Sequence, residues 1–216
     1  MKQTVLFVFL FSIGISCFSQ GDYMNVMVRQ KNAFKMSHSV DDFQSLANAY
    51  ERIANAESDK WHPLYFAALC YLNMSFITDN MEQVDAYLDK AQPFIDKAME
   101  IYPDESELHV LQGMLYQARI KVDPAGRGMN YSMKANEELN RAREYNPENG
   151  LVDYMYGIVT DGFRDYVQNM KAQGDMNSAL SFCRKALEVI PGWYIALTEI
   201  GIIHNDRGEY RDAIRM

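Results

Sequence analysis

The sequence predicts an all-α fold, a right-handed α-α superhelix of stacked antiparallel helix pairs. Three observations carry that expectation. Lys97-Ala-Met-Glu-Ile-Tyr-Pro103, Arg141-Ala-Arg-Glu-Tyr-Asn-Pro147 and Lys185-Ala-Leu-Glu-Val-Ile-Pro191 share the pattern basic-Ala-x-Glu-x-x-Pro and follow one another at steps of 44 residues. Small residues keep the same step: Ala91, Ala135 and Ala179, then Ala98, Ala142 and Ala186, with Ala47 and Ala54 one period earlier, and Gly113, Gly157 and Gly201 between them. No segment alternates with period two for long enough to read as a strand.

The first residues are a different material. Lys2 precedes an uncharged, mostly apolar run from Thr4 to Ile15, followed by small residues around Cys17 and Ser19. This layout reads as a secretory signal over residues 1–19, cleaved before Gln20. A lipid anchor on Cys17 is the competing reading, against which the Leu usual three residues ahead is missing. The run is too short for a comfortable membrane span, which needs about 20 residues, so no span remains once the signal is removed. The chain is therefore expected to be exported to the periplasm or cell envelope.

Helices are expected over residues 22–36, 40–57, 62–76, 81–101, 105–121, 131–145, 149–171, 176–189, 193–206 and 209–216. They pair as about 22–57, 62–103, 105–147, 149–191 and 193–216 within one repeat domain, 20–216. Alanines seven apart lie on one stripe of a helix, and a small side chain there lets a neighbouring helix come close. A mid-helix glycine costs about 1 kcal/mol of propensity, so its recurrence at Gly113, Gly157 and Gly201 points to close approach from the opposing helix. Each proline stops the second helix of its pair. The spacing also leaves about ten residues between the paired helices of the earlier units, including Thr78 to Glu82 and Val122 to Met129. Asp123-Pro-Ala-Gly-Arg-Gly128 reads as an inter-helix loop in which glycine supplies positive φ. It lacks the Lys-Ser/Thr of a phosphate loop.

The final stretch, Trp193-Tyr-Ile-Ala-Leu-Thr-Glu-Ile-Gly-Ile-Ile-His-Asn-Asp-Arg-Gly-Glu-Tyr-Arg-Asp-Ala213, has a mid-helix Gly201, a turn at Gly208, and Tyr210 and Ala213 on a second helix. Ala179 to Ala213 spans 34 residues. The chain from about residue 40 onward thus resembles the tetratricopeptide repeat (TPR) family. Its front half is similar to small exported bacterial repeat proteins, through Ala47-Asn-Ala-Tyr-Glu-Arg-Ile-Ala-Asn-Ala56 and Val122-Asp-Pro-Ala-Gly-Arg-Gly128. The last unit lacks the basic-Ala-x-Glu-x-x-Pro ending. Solenoids close with a polar cap, so the expectation is either a longer parent chain or an open end used for end-to-end self-association.

The resemblance implies a non-catalytic scaffold whose concave face, lined by the first helix of each pair, takes a protein or peptide. Counted from the recurring glycine, that face holds Phe66 and Asn73, then Val110, Met114 and Gln117, then Tyr154, Ile158 and Asp161, then Thr198 and Asn205. Such a mixture of apolar, aromatic and amide groups suits an extended peptide or a partner helix. Family members that hold a C-terminal carboxylate use basic residues in this groove. Val110, Tyr154 and Thr198 stand where lysine would be needed, so that clamp is not expected here.

Composition excludes other classes. The net charge is −8 with no basic run, whereas nucleic-acid binding needs a concentrated positive surface. The four histidines, His38, His62, His109 and His204, stand singly and not at metal-ligand spacing. Neither Cys70 nor Cys183 has a neighbouring His to activate a thiolate, and their separation in the repeat predicts that they do not pair. No enzyme activity, cofactor or metal is expected. Two alternatives remain at this level: a glycan- or envelope-polymer-binding protein using some of the fourteen tyrosines as stacking platforms, and a self-associating structural subunit.

Overall fold

A computed structural model describes residues 20–189 and 194–209. These residues form helices α1 (Gln20–Lys35), α2 (Val40–Ala56), α3 (His62–Ile77), α4 (Met81–Ile101), α5 (Ser106–Val122), α6 (Pro124–Tyr145), α7 (Gly150–Ala172), α8 (Met176–Val189) and α9 (Tyr194–Asp206). No strand occurs among them. The segment expected to be a signal, Pro191, Trp193 and the expected last helix at 209–216 lie outside the described residues, apart from Glu209.

Local chemistry sets the helix starts. Ser39 and Asp42 form a reciprocal capping box at α2. Asn80 and Asn149 accept the backbone N–H of Glu82 and Leu151, at 3.0 and 3.1 Å. Pro63 and Pro124 occupy first-turn positions, where a missing N–H costs nothing. Helices α4 and α6 stop two residues before Pro103 and Pro147, as the repeat pattern implied. Gly174 and Gly208 close α7 and α9 with φ near +80° and +75°. In each case the next residue's N–H reaches back to a carbonyl five residues earlier, a turn that glycine alone adopts cheaply.

Consecutive helices pack on one another, and α3, α5, α7 and α9 also touch in series. First helices thus form one layer of the array and α4, α6 and α8 the other. The eight row alanines, Ala47, Ala54, Ala91, Ala98, Ala135, Ala142, Ala179 and Ala186, are all at most 3% exposed. The alanine rows are the seams along which helices approach. Side chains also tie the array across units. Ser106 Oγ donates to the Ala142 carbonyl at 2.8 Å and accepts from Asn149 Nδ2 at 2.9 Å. Asp85 of α4 receives Arg127 of α6 at 2.8 Å and Arg119 of α5 at 3.4 Å.

Three expectations need correction. The segment 124–128 is helix, not loop: Asp123 caps it by accepting the Gly126 N–H at 2.9 Å, and Arg127 anchors it to Asp85. No glycine there has positive φ; only Gly174 and Gly208 do, among the described residues. Secondly, residues 124–129 do not separate the helices of their unit but lengthen α6 to 22 residues, whereas residues 78–80 do lie between α3 and α4, and α4 starts at Met81 as expected. Thirdly, the glycine row is not a uniform packing device. A Cβ at Gly113 would meet Leu139 and the Ala135 carbonyl at 3.5 Å, whereas at Gly157 and Gly201 it would meet nothing within 4 Å.

The core falls into patches that α7 joins. Its first half supplies Val152 and Met155 to a cluster with Val110, Ala135, Leu139 and Ala142. Its second half supplies Phe163 and Val167 to a cluster with Leu180, Cys183, Ala196, Ile200 and Ile203. A larger cluster fills α1 to α5.

Candidate functional site

The residues expected on the inner face divide sharply along the chain. In the front half they are largely covered. Phe66 stacks on Tyr50 with ring centroids 5.1 Å apart and meets Phe34 of α1 edge-on at 6.0 Å. Asn73 turns its amide back to the Leu69 carbonyl at 2.7 Å. Met114 and Gln117 are half-buried. Val110 is fully buried among Leu139, Val152 and Met155. It is a core residue and cannot touch a partner. Its helix α5 is overlaid by the first half of α7, which the residue spacing alone does not reveal.

In the rear half the expected residues are open. Tyr154 is 65% exposed, Ile158 40% and the neighbouring Ile202 37%. Asp161, Thr198 and Asn205 are exposed as well. Helix geometry aligns them: Tyr154, Ile158 and Asp161 recur at i, i+4 and i+7 on α7, and Thr198, Ile202 and Asn205 repeat that spacing on α9. The register of the two helices is held by Gln168 to Glu199 at 3.0 Å and Lys171 to Asp206 at 2.7 Å. Large apolar side chains on adjacent helices, rimmed by polar groups, are the usual signature of an interaction surface. Replacing Tyr154 by Ser is therefore expected to change stability by no more than about 0.5 kcal/mol, as at other surface positions. Urea unfolding measures this, and a loss of several kcal/mol would mark Tyr154 as core.

The stripe of α7 continues past Ile158 through Gly162, Asp165 and Asn169. There it lines a cavity of about 190 Å³ between α5, α6, α7 and α8. Gln117 and Ile120 come from α5, Gly128 and Ser132 from α6, and Phe182 from α8. Phe163 and Tyr166 of α7 pack against Phe182, with centroids 5.2 and 4.9 Å away. The Gln117 amide nitrogen is buried without a hydrogen-bond partner, an arrangement that costs about 1–3 kcal/mol. Of these residues only Gln117 was singled out from the sequence. Pro124 and Gly128 were hidden because the sequence places 122–129 in a loop.

Cys70, Cys183 and His109 are buried within the packing. Burial pushes the Cys70 and Cys183 thiols up to about 12, so neither supplies a thiolate near neutral pH, and they are unpaired. His109 is buried between α5 and α6. Its Nδ1 lies 2.7 Å from Glu138 and its Nε2 2.8 Å from the Pro103 carbonyl. Among the described residues, no group of three His, Cys, Asp or Glu stands close enough to hold a metal. No described helix is long and apolar enough to cross a membrane.

The fold is that of a TPR-like helical repeat. It is similar to the solved structure of the HusA haemophore from Porphyromonas gingivalis, with a TM-score of 0.59 and 24% identity over 88% of this chain and 96% of that one. Weaker likenesses are to MamA, TM-score 0.41 and 16% identity over 89% of this chain and 85% of that one. A thermophilic TPR protein from Thermus thermophilus gives a TM-score of 0.30 and 14% identity over 90% of this chain and all of that one. No family model and no curated protein sequence matches the chain.

Proposed function

We propose that the protein is a non-catalytic binding scaffold of the bacterial cell envelope, and that it takes a peptide or protein segment along the open inner face of α7 and α9. The observation that supports this best is the exposure of Tyr154, Ile158 and Ile202 on adjacent first helices. An extended segment or a helix would bury these apolar anchors and find polar partners in Asp161, Thr198 and Asn205. With Asp161 and Asp165 on the rim, a neutral or basic segment fits better than an acidic one. The test is a peptide selected from a displayed random library against the folded protein. The double variant Tyr154→Ser, Ile158→Ser should weaken its binding by about tenfold or more, since losing anchors at the centre of an interface costs over 1 kcal/mol each. Calorimetric titration with an unchanged melting temperature gives that result. Undiminished affinity would refute the assignment of this face.

A second reading follows the likeness to the HusA haemophore. A haem would not enter a 190 Å³ cavity, so this reading places it on an open surface. On the face of α7 the exposed Tyr154 is a candidate axial ligand, since tyrosinate can ligate haem iron. Titrating haem and following its Soret band separates the two readings: a stoichiometric shift lost in Tyr154→Ser favours haem, and an unshifted band leaves the peptide reading alone.

A further inference from the structure

We propose that the cavity at the end of the α7 stripe is a side-chain pocket for one phenol ring, as carried by a tyrosyl residue of the bound segment. The source of the ring rests on the peptide reading above; the chemistry of the cavity does not.

Three features define the occupant. The first is size. A cavity of about 150 Å³ lined by apolar groups holds one benzene, so about 190 Å³ suits a six-membered ring with one small substituent. The second is shape. Gly128 is buried, yet a Cβ placed on it, or on Gly162 across the cavity, would meet nothing within 4 Å. Two helices thus leave out side chains where the space opens. Phe163 and Phe182 supply aromatic walls, against which a ring packs offset or edge-on. The third is polarity. Gln117 lines the cavity and its buried amide N–H lacks an acceptor. A phenolic oxygen can accept that hydrogen, and its own O–H can donate to Asp165, an acceptor at the cavity wall. A phenylalanyl ring would leave the Gln117 donor unmet. A carboxylate would face Asp165. The cavity opens on the stripe that carries Tyr154 and Ile158, so a segment lying on those anchors can deliver a side chain into it.

The probe is p-cresol, with toluene as its hydroxyl-free counterpart, titrated into the full chain and followed by ligand-observed NMR. Saturable p-cresol binding about tenfold tighter than toluene is expected, the effect of one hydrogen bond to a buried donor. Gly128→Leu and Gly162→Leu should each abolish binding of both probes, with far-UV circular dichroism and melting temperature checking that each variant folds. Gln117→Leu should remove the preference for p-cresol while retaining toluene. Absence of saturable p-cresol binding, or its survival in both filled-cavity variants that fold, overturns the pocket. Peptides selected on the inner face should carry tyrosine and lose affinity for Gly128→Leu. Selected peptides that lack tyrosine and bind Gly128→Leu unchanged overturn the tyrosyl source while leaving the peptide-binding face intact. A p-cresol site without any peptide binding overturns the peptide reading instead.

Discussion

Replacing Ala142 by Leu is expected to destabilise the protein by about 1–3 kcal/mol through overpacking. Ala142 has no exposed surface and shares its cluster with Val110, Leu139 and Val152. Its carbonyl also accepts from Ser106 Oγ at 2.8 Å. Three added carbon atoms therefore have to displace either α5 or the bond that ties α5 to α6. In a chain of this size each kcal/mol lowers the melting temperature by roughly 2–4 °C. Ala125→Leu is the control. Ala125 is exposed on the first turn of α6, so the same change there should be neutral or slightly favourable. Equal melting temperatures for the two variants would remove the alanine seams as the basis of the packing.

The second large effect is expected at Glu138. Both acceptors of His109, the Glu138 carboxylate and the Pro103 carbonyl, need a hydrogen from the ring. Glu138 also accepts from Arg141 at 3.0 Å. Two acceptors facing the two ring nitrogens favour the protonated ring. Burial pulls its pKa down, but the bonds to Glu138 and to Pro103 and the Glu138 charge outweigh burial and the opposing Arg141, leaving it above the ordinary histidine value. Tyr145 covers the ring from α6, with centroids 5.1 Å apart. Glu138→Ala removes the charged partner of a buried ring, which can then release its proton, so a loss of about 1–3 kcal/mol is expected at pH 6. The sign of the pH dependence follows from the raised pKa. The stabilisation is full below the unfolded histidine value, about 6.5, and is lost as pH rises through the higher folded value. Urea unfolding at pH 6 and pH 9 should show the gap between wild type and Glu138→Ala narrowing at the higher pH. A gap that stays constant would mean that His109 is neutral throughout.

The fold was legible because its signals are short-range and periodic. Alanine spacing, prolines past α4 and α6, and the glycines at 174 and 208 each act within one or two turns, and each stands where the repeat implied. What misled was glycine read without its context. In Asp123-Pro-Ala-Gly-Arg-Gly128 the composition argues for a loop, yet the Asp123 cap, Pro124 in the first turn and the Arg127–Asp85 pair outweigh the propensity cost. Gly113 sits against Leu139, whereas Gly157 borders open space. Sequence spacing cannot tell a glycine that admits a neighbour from one that leaves a gap.

The candidate site was half legible for a related reason. Counting from the recurring glycines assumes that every first helix presents the same face. Helix α7 runs 23 residues, so its first half overlays α5 and buries Val110, while its second half serves α8 and α9. The face predicted across the whole array is consequently open only on α7 and α9, and the cavity lies where α7 passes from one core cluster to the next. Gly162, Asp165 and Asn169 continue the Tyr154 stripe by simple helical period. Extending that stripe to the end of α7 was the signal that could have found them.

The central claim, that α7 and α9 present the binding face, is tested most directly by titrating a selected peptide into isotope-labelled protein and mapping backbone amide shifts. The expected result is a set of saturating shifts around Tyr154, Ile158 and Asp161 on α7 and around Ile202 on α9. Shifts confined to the second helices α4, α6 and α8 would contradict it.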